Sequence, residues 1–276
     1  MKNRINIYFP VLLICFGCDD SEQLEGNKER EYILYKPESL QKNAPLVFVL
    51  HGYTSSAETI QLYSQMNKIA DEHEFAVCYP KGTKDNNGIS HWNAQLTISD
   101  TDDIKFLSEL AQTLQDIHSL DPERTFVCGM SNGGFMSYTL ACEAPEIFKA
   151  IASVTGTMSG RTWENCDPSI AVPIFQISGV EDEVVPIDGS MNIFGGWGGA
   201  PSMDEVINFW VNQNNCTSTD TVFFSENTEA YYNKNCVGAN EVWYYKINNW
   251  GHEWPTEKSE TGTVASKAIW EFFSKF

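Results

Sequence analysis

A serine hydroxyl becomes a nucleophile only when a base removes its proton and a third group orients that base. Three short stretches of this 276-residue chain supply residues of those types. The first is Gly129-Met130-Ser131-Asn132-Gly133, the one Gly-x-Ser-x-Gly in the sequence, followed by Gly134. Flanking glycines permit a tight turn that lifts a serine hydroxyl off the end of a strand, and the N-terminus of the next helix favours negative charge there. Residues 125–128 read as a strand and 132–144 as a helix stopped by Pro145, so the pattern sits in the context that gives it meaning. A plain glycine-rich turn would leave that context unused.

Histidines at 51, 73, 91 and 118 precede Ser131, and only His252 follows it, in Asn249-Trp250-Gly251-His252-Glu253-Trp254-Pro255 after the last expected strand. Nucleophiles on strand-to-helix turns are followed in the chain by the acid and then the histidine, which makes His252 the candidate base. His118 ends an apolar helical stripe and reads as structural, whereas His73 and His91 read as ordinary loop residues. The acid is expected in a loop after a late strand, where it orients the imidazole and stabilises its cation. Asp182 takes that place in Ser178-Gly179-Val180-Glu181-Asp182-Glu183-Val184-Val185-Pro186, ahead of Glu181, Glu183 and Asp188. The oxyanion needs two backbone N–H donors, one after the nucleophile and one from the loop after an early central strand. Those are Asn132 and Tyr53, with Thr54 as the alternative to Tyr53 in Leu50-His51-Gly52-Tyr53-Thr54. Such a set works through an acyl-enzyme without metal or organic cofactor, and it slows in acid because a histidine base must be neutral.

Apolar, β-branched runs between breakers at 31–36, 45–50, 75–79, 125–128, 150–154, 173–178 and 241–247 read as the strands that would position these residues. Helical periodicity occupies 55–72, where Ser55 and Glu58 form a capping-box pair, then 102–118, 132–144, 202–212 behind Ser202 and Glu205, and 264–273. Continuous apolar strands alternating with helices predict an α/β protein whose mainly parallel central sheet carries helices on both faces. The Gly-rich stretch 189–202 falls outside that pattern, and 217–235 is compatible with a hairpin.

Hydrophobic residues make up 42% of the chain and charged ones 20%, which excludes a disordered, collagen-like or coiled-coil protein. The net charge of −19 repels phosphate backbones and argues against nucleic acid as a partner. Lys2 and Arg4 ahead of a mostly apolar run at 5–17 form a signal-peptide pattern that is too short for a membrane span. Gly17-Cys18 resembles the end of a bacterial lipoprotein signal, with Cys15 where leucine is usual. The expected organisation is a signal over 1–17, a lipidated Cys18, an acidic tether over 18–30 and a catalytic domain over 31–276. Such a protein is exported as an outer-membrane or cell-surface lipoprotein that meets the membrane only through Cys18, the alternative being a secreted or periplasmic protein. Export permits disulfides, and the remaining cysteines lack metal-ligand spacing. Cys78 and Cys128 lie in apolar strands and read as buried thiols, while Cys142 with Cys166 and Cys216 with Cys236 are the expected disulfides.

LHGYTSSA at 50–57, YPKG at 79–82, HWNA at 91–94, CGMSNGGFMSYTLACEAPEIF from Cys128, EDEVVP at 181–186 and WGHEWP at 250–255 together resemble the polyhydroxybutyrate depolymerase and feruloyl esterase family. The resemblance runs from about residue 31 to the C-terminus. It implies an α/β-hydrolase fold, export or lipid anchoring, and cleavage of carboxylic esters such as ferulate or acetate on plant polysaccharides, or polyhydroxyalkanoates. It carries Ser131, Asp182 and His252 over as the triad, with one departure at Ser178, where the family often has histidine. Trp92, Trp197, Trp250 and Trp254 fall in loops expected near the site and are candidate contacts for sugars or a feruloyl ring, although a plainer reading puts at least two of them in the core. The expected partner is an acylated plant or algal oligosaccharide or polysaccharide. A polyester hydrolase is the nearest alternative; a serine peptidase on the same fold and a non-catalytic surface-binding lipoprotein are the others.

Overall fold

The computed structural model describes residues 30–194 and 196–276. The expected signal and the lipidation at Cys18 lie outside those residues. The strands are β1 (Tyr32–Tyr35), β2 (Leu46–Leu50), β3 (Ala76–Pro80), β4 (Thr83–Lys84), β5 (Ser90–His91), β6 (Thr125–Met130), β7 (Ala150–Val154), β8 (Ile174–Gly179), β9 (Ser218–Phe223), β10 (Thr228–Lys234) and β11 (Val242–Ile247). The α-helices are α1 (Ala57–Ser64), α2 (Met66–His73), α3 (Asp103–His118), α4 (Asn132–Glu143), α5 (Gly160–Asn165), α6 (Met203–Gln213) and α7 (Ala265–Phe273).

Nine strands form one sheet in the order β1-β3-β2-β6-β7-β8-β11-β10-β9. The six from β3 to β11 run parallel, with β1 antiparallel at one edge and the β9–β10 hairpin antiparallel at the other. This is the expected α/β-hydrolase fold. Side chains alternate across a strand, so Leu46, Phe48 and Leu50 of β2 feed one core while Val47 and Val49 feed the other. Leu107 of α3, Phe135 of α4 and Trp210 of α6 close the first core; Ile60 of α1, Ile69 of α2 and Phe272 of α7 close the second.

The helix expected over 55–72 is instead two helices, broken at Gln65, whose φ is 53°. Ile60 and Met66 are six positions apart, which a straight helix would place about 120° apart around its axis. The break turns both onto the sheet. Ser56, not Ser55, caps α1 by accepting from the Thr59 N–H, and Glu58 pairs with Lys81 at 2.9 Å. His73 is the last residue of α2, with its ring 5.6 Å from that of Trp270. His91 is buried on β5, which pairs with β4 inside the expected polar loop. His118 does end α3, with Nδ1 3.1 Å from Lys36 Nζ. Arg30, at the end of the expected tether, is buried with its Nη2 2.7 Å from Asp103 Oδ1 and packs on the folded body.

Both expected disulfides are formed, Cys142–Cys166 from the end of α4 to the end of α5 and Cys216–Cys236 across the base of the β9–β10 hairpin. Closing loops of this size in the unfolded chain stabilises the fold by about 3 kcal/mol each. Cys78 and Cys128 are free and buried, and burial pushes both thiols well up from the usual range. Among the described residues no helix is long and apolar enough to cross a membrane.

Candidate active site

Ser131 stands alone between β6 and α4 with φ 53° and ψ −119°, a conformation that residues with a Cβ avoid. Its N–H donates to the Val154 carbonyl at 2.9 Å, and its own carbonyl accepts from the Phe135 N–H at 3.0 Å. Close backbone packing leaves the turn no other course. A Cβ on Gly129 would lie 2.4 Å from the Gly133 carbonyl, and one on Gly133 would lie 2.3 Å from the Leu50 oxygen. The half-buried serine is thereby held at the C-terminal end of the sheet, over the first turn of a 12-residue helix whose dipole favours negative charge.

Strands β8 and β11 are parallel neighbours, so the loops that follow them emerge on the same edge of the sheet as Ser131. The two loops touch, with the Glu181 N–H donating to the Trp250 carbonyl at 2.9 Å. Asp182 Oδ1 accepts from the N–H groups of Val184 and Val185 at 2.9 and 2.8 Å, and Oδ2 lies 2.8 Å from His252 Nδ1. The carboxylate can only accept, so the imidazole carries a proton on Nδ1, the tautomer whose neutral ring accepts at Nε2. The Asp182 side chain is 1% exposed and that of His252 20%, while Glu181, Glu183 and Asp188 are exposed. Ser178 is buried, and its hydroxyl accepts from Gln176 Nε2 at 2.8 Å.

Opposite these loops, the Thr54 N–H donates to the Ser90 carbonyl at 2.9 Å, whereas the Tyr53 N–H has no hydrogen-bond partner among the described residues. The Gly52 carbonyl accepts from the Ser55 N–H at 3.2 Å and from His51 Nδ1 at 2.8 Å. His51 Nε2 accepts from the Gly82 N–H at 3.0 Å, which fixes the neutral tautomer with its proton on Nδ1. Sequence reasoning gave His51 no part; its signal was the glycine on either side of the ring, Gly52 and the Gly82 of YPKG. Burial pulls the His51 imidazole down to about 4, opposed by its bond to the Gly52 carbonyl. An unfolded histidine titrates near 6.5. Between those values the unfolded chain binds a proton that the folded chain refuses, so stability is full above pH 6.5 and is lost as the pH falls toward 4. A loss approaching about 3 kcal/mol is expected over that interval, read as a fall in urea midpoint that a His51→Gln variant does not share.

The four tryptophans divide. Trp92 and Trp254 are buried, so the expectation that they touch substrate is corrected: a large ring with one N–H is easily buried when that N–H finds an acceptor. The Trp92 indole donates to the His51 carbonyl at 3.0 Å and that of Trp254 to Ser266 Oγ at 3.2 Å. Trp250 is half-buried and bonds the Glu253 carbonyl. Trp197, also half-buried, sets its ring 5.4 Å from Tyr53 and 5.6 Å from Phe135, which places it beside the loop after β2 and the first turn of α4.

A model of the family described as esterase PHB depolymerase matches residues 30–220, well over half of the sequence. The chain belongs to this family. It is 31% identical over 151 residues to the putative esterase NocK of Nocardia uniformis subsp. tsuyamanensis, covering 55% of this chain and 44% of NocK. It is 27% identical over 215 residues to feruloyl esterase B of Piromyces equi, covering 76% of this chain and 40% of that protein. The chain thus spans less than half the length of the first curated relatives it matches. Among solved structures, the acetyl xylan esterase from Aspergillus awamori superposes with a TM-score of 0.66 at 16% identity, over 89% of this chain and 94% of that one, a likeness of fold. The family match includes Ser131 and Asp182, and His252 lies beyond its end.

Proposed function

We propose that this member of the family hydrolyses carboxylic esters through an acyl-enzyme on Ser131, and that its substrates are feruloyl or acetyl esters of plant or algal polysaccharide fragments. The observation that carries the reading is the 2.8 Å contact of a buried Asp182 with His252 Nδ1 on the same sheet edge as a serine at φ 53°. His252 Nε2 takes the Ser131 proton as Oγ bonds to the ester carbon. The carbonyl oxygen, now negative, accepts from the free N–H of Tyr53 and from that of Asn132. Collapse breaks the ester C–O bond, and the departing alcohol takes the proton from His252. Water then repeats the cycle on the acyl-serine and releases the acid.

Trp197 and Tyr53, both half-buried, offer an aromatic surface for a ring-bearing acyl group, with buried Phe135 packed behind Trp197. Hydrolysis of p-nitrophenyl acetate and of methyl ferulate, measured side by side with Ser131→Ala as control, tests the reading. Turnover of either ester that vanishes in the variant is expected; turnover that survives it would remove Ser131 from the mechanism. A second reading, a polyester hydrolase, is favoured by Ile193 and Phe194, which stand 67% and 74% exposed on the segment that carries Trp197. Faster cleavage of a hydroxybutyrate oligomer than of either small ester would establish it. Two disulfides fit an exported protein, and anchoring through Cys18 is read out by intact mass of membrane-extracted protein, where an unlipidated N-terminus would end it.

A further inference from the structure

The two amides assigned to the oxyanion belong to different elements: Tyr53 follows β2, and Asn132 opens α4. The loops meet at Gly52, where an added Cβ would sit 3.4 Å from that of Ser131, in ordinary van der Waals contact. The Gly133 backbone also packs directly on Leu50 and His51, so contact brings the two elements together. It does not by itself aim the two amides, and oxyanion donors must point at the developing charge to within a few tenths of an ångström.

A buried chain of hydrogen bonds joins them. Asn132 Oδ1 accepts from the Trp92 N–H at 2.7 Å and its Nδ2 donates to the Trp92 carbonyl at 2.9 Å. Two bonds to the same residue fix that residue's orientation as well as its place. The Trp92 indole N–H then donates to the His51 carbonyl at 3.0 Å, and the ring lies 5.0 Å from the His51 imidazole. His51 donates to the Gly52 carbonyl, which shares one planar peptide unit with the Tyr53 N–H and so fixes the direction of that N–H. All three side chains are buried. From outside, Asp103, itself paired with Arg30, accepts from the neighbouring Asn93 N–H at 2.6 Å. We infer that Asn132, Trp92 and His51 form a clamp that fixes the relative orientation of the two oxyanion amides, and are positioning residues for the proposed hydrolysis, on which this inference rests. None of the three side chains touches the reacting atoms; the Asn132 backbone N–H does, and Asn132→Ala leaves it in place.

The test compares wild type, Asn132→Ala, Trp92→Phe and the double variant in three measurements: kcat and KM for p-nitrophenyl acetate, affinity for phenylboronic acid, and thermal midpoint. Phenylboronic acid adds the Ser131 oxygen to boron and places a boron-bound oxygen between the two amides. Each single variant is expected to lower kcat about 10- to 100-fold with KM within about twofold. Boronate affinity should fall by the same factor, and the double variant should be little worse than the poorer single. Trp92→Phe keeps an aromatic ring and loses one donor, so it decides the matter even if Asn132→Ala does not accumulate. Folded variants with wild-type kcat and only a lowered thermal midpoint would overturn the clamp, as would losses that multiply in the double variant. A wild-type chain inert toward both ester and boronate fails at an earlier step, and takes the esterase reading down with the clamp.

Discussion

Asp182→Asn is expected to lower kcat for p-nitrophenyl acetate about ten-thousand-fold while leaving the fold intact. The substituted amide is not free to choose its orientation. The Val184 and Val185 N–H groups require an acceptor where Asp182 Oδ1 now stands, so the asparagine oxygen must occupy that position and its NH2 must face His252 Nδ1. An imidazole that accepts at Nδ1 carries its proton on Nε2 and cannot take another from Ser131. The shape of the side chain is conserved and its two backbone bonds survive, so thermal midpoint and near-ultraviolet dichroism should stay near those of wild type. A loss smaller than about tenfold would mean that His252 finds its working tautomer without Asp182.

Gly133→Ala is expected to cost about 3 kcal/mol or more and to leave little soluble protein. The new methyl would sit 2.3 Å from the Leu50 oxygen and 2.7 Å from its carbonyl carbon, and both belong to the backbone of a central strand. On the other side, α4 packs on β2, β6 and β7, so the helix cannot move away without opening the core. Gly88→Ala is the matched control: its φ is +79° but nothing lies within 4 Å of the added carbon, so only the backbone penalty of about 1 kcal/mol remains. Urea midpoints of the two variants separate the causes, and a Gly133→Ala protein with a wild-type midpoint would refute the close approach of α4 to β2.

The sheet and the Ser131 turn were legible because their signals are local: continuous β-branched runs for buried parallel strands, and glycines wherever two backbones touch. The cysteine pairs were legible for a related reason, since each lies close in sequence and in a loop-rich stretch. What escaped depends on partners far along the chain. Trp92 looked like a loop aromatic available to substrate, yet Asn132, forty positions away, holds it in the core. His51 had no visible role until Gly82 supplied a donor to its ring. Tyr53 was preferred to Thr54 for the second amide, and what separates them, the bond of the Thr54 N–H to the Ser90 carbonyl, depends on a residue thirty-six positions away. The break at Gln65 brings Ile60 and Met66 into the same core, which periodicity counted along one straight helix does not register.

Cys78 and Cys128 are separated by one strand, since β2 runs between β3 and β6, and they face opposite cores. Neither can reach the other or any other sulfur once the sheet has closed. For a chain oxidised while unfolded, the six cysteines of the domain allow fifteen complete pairings; with two sealed away, four remain and allow three. Sheet closure ahead of oxidation therefore cuts the choice of pairings fivefold, and a chain refolded in the reduced state before oxidation is expected to recover more of the two native disulfides than one oxidised while unfolded.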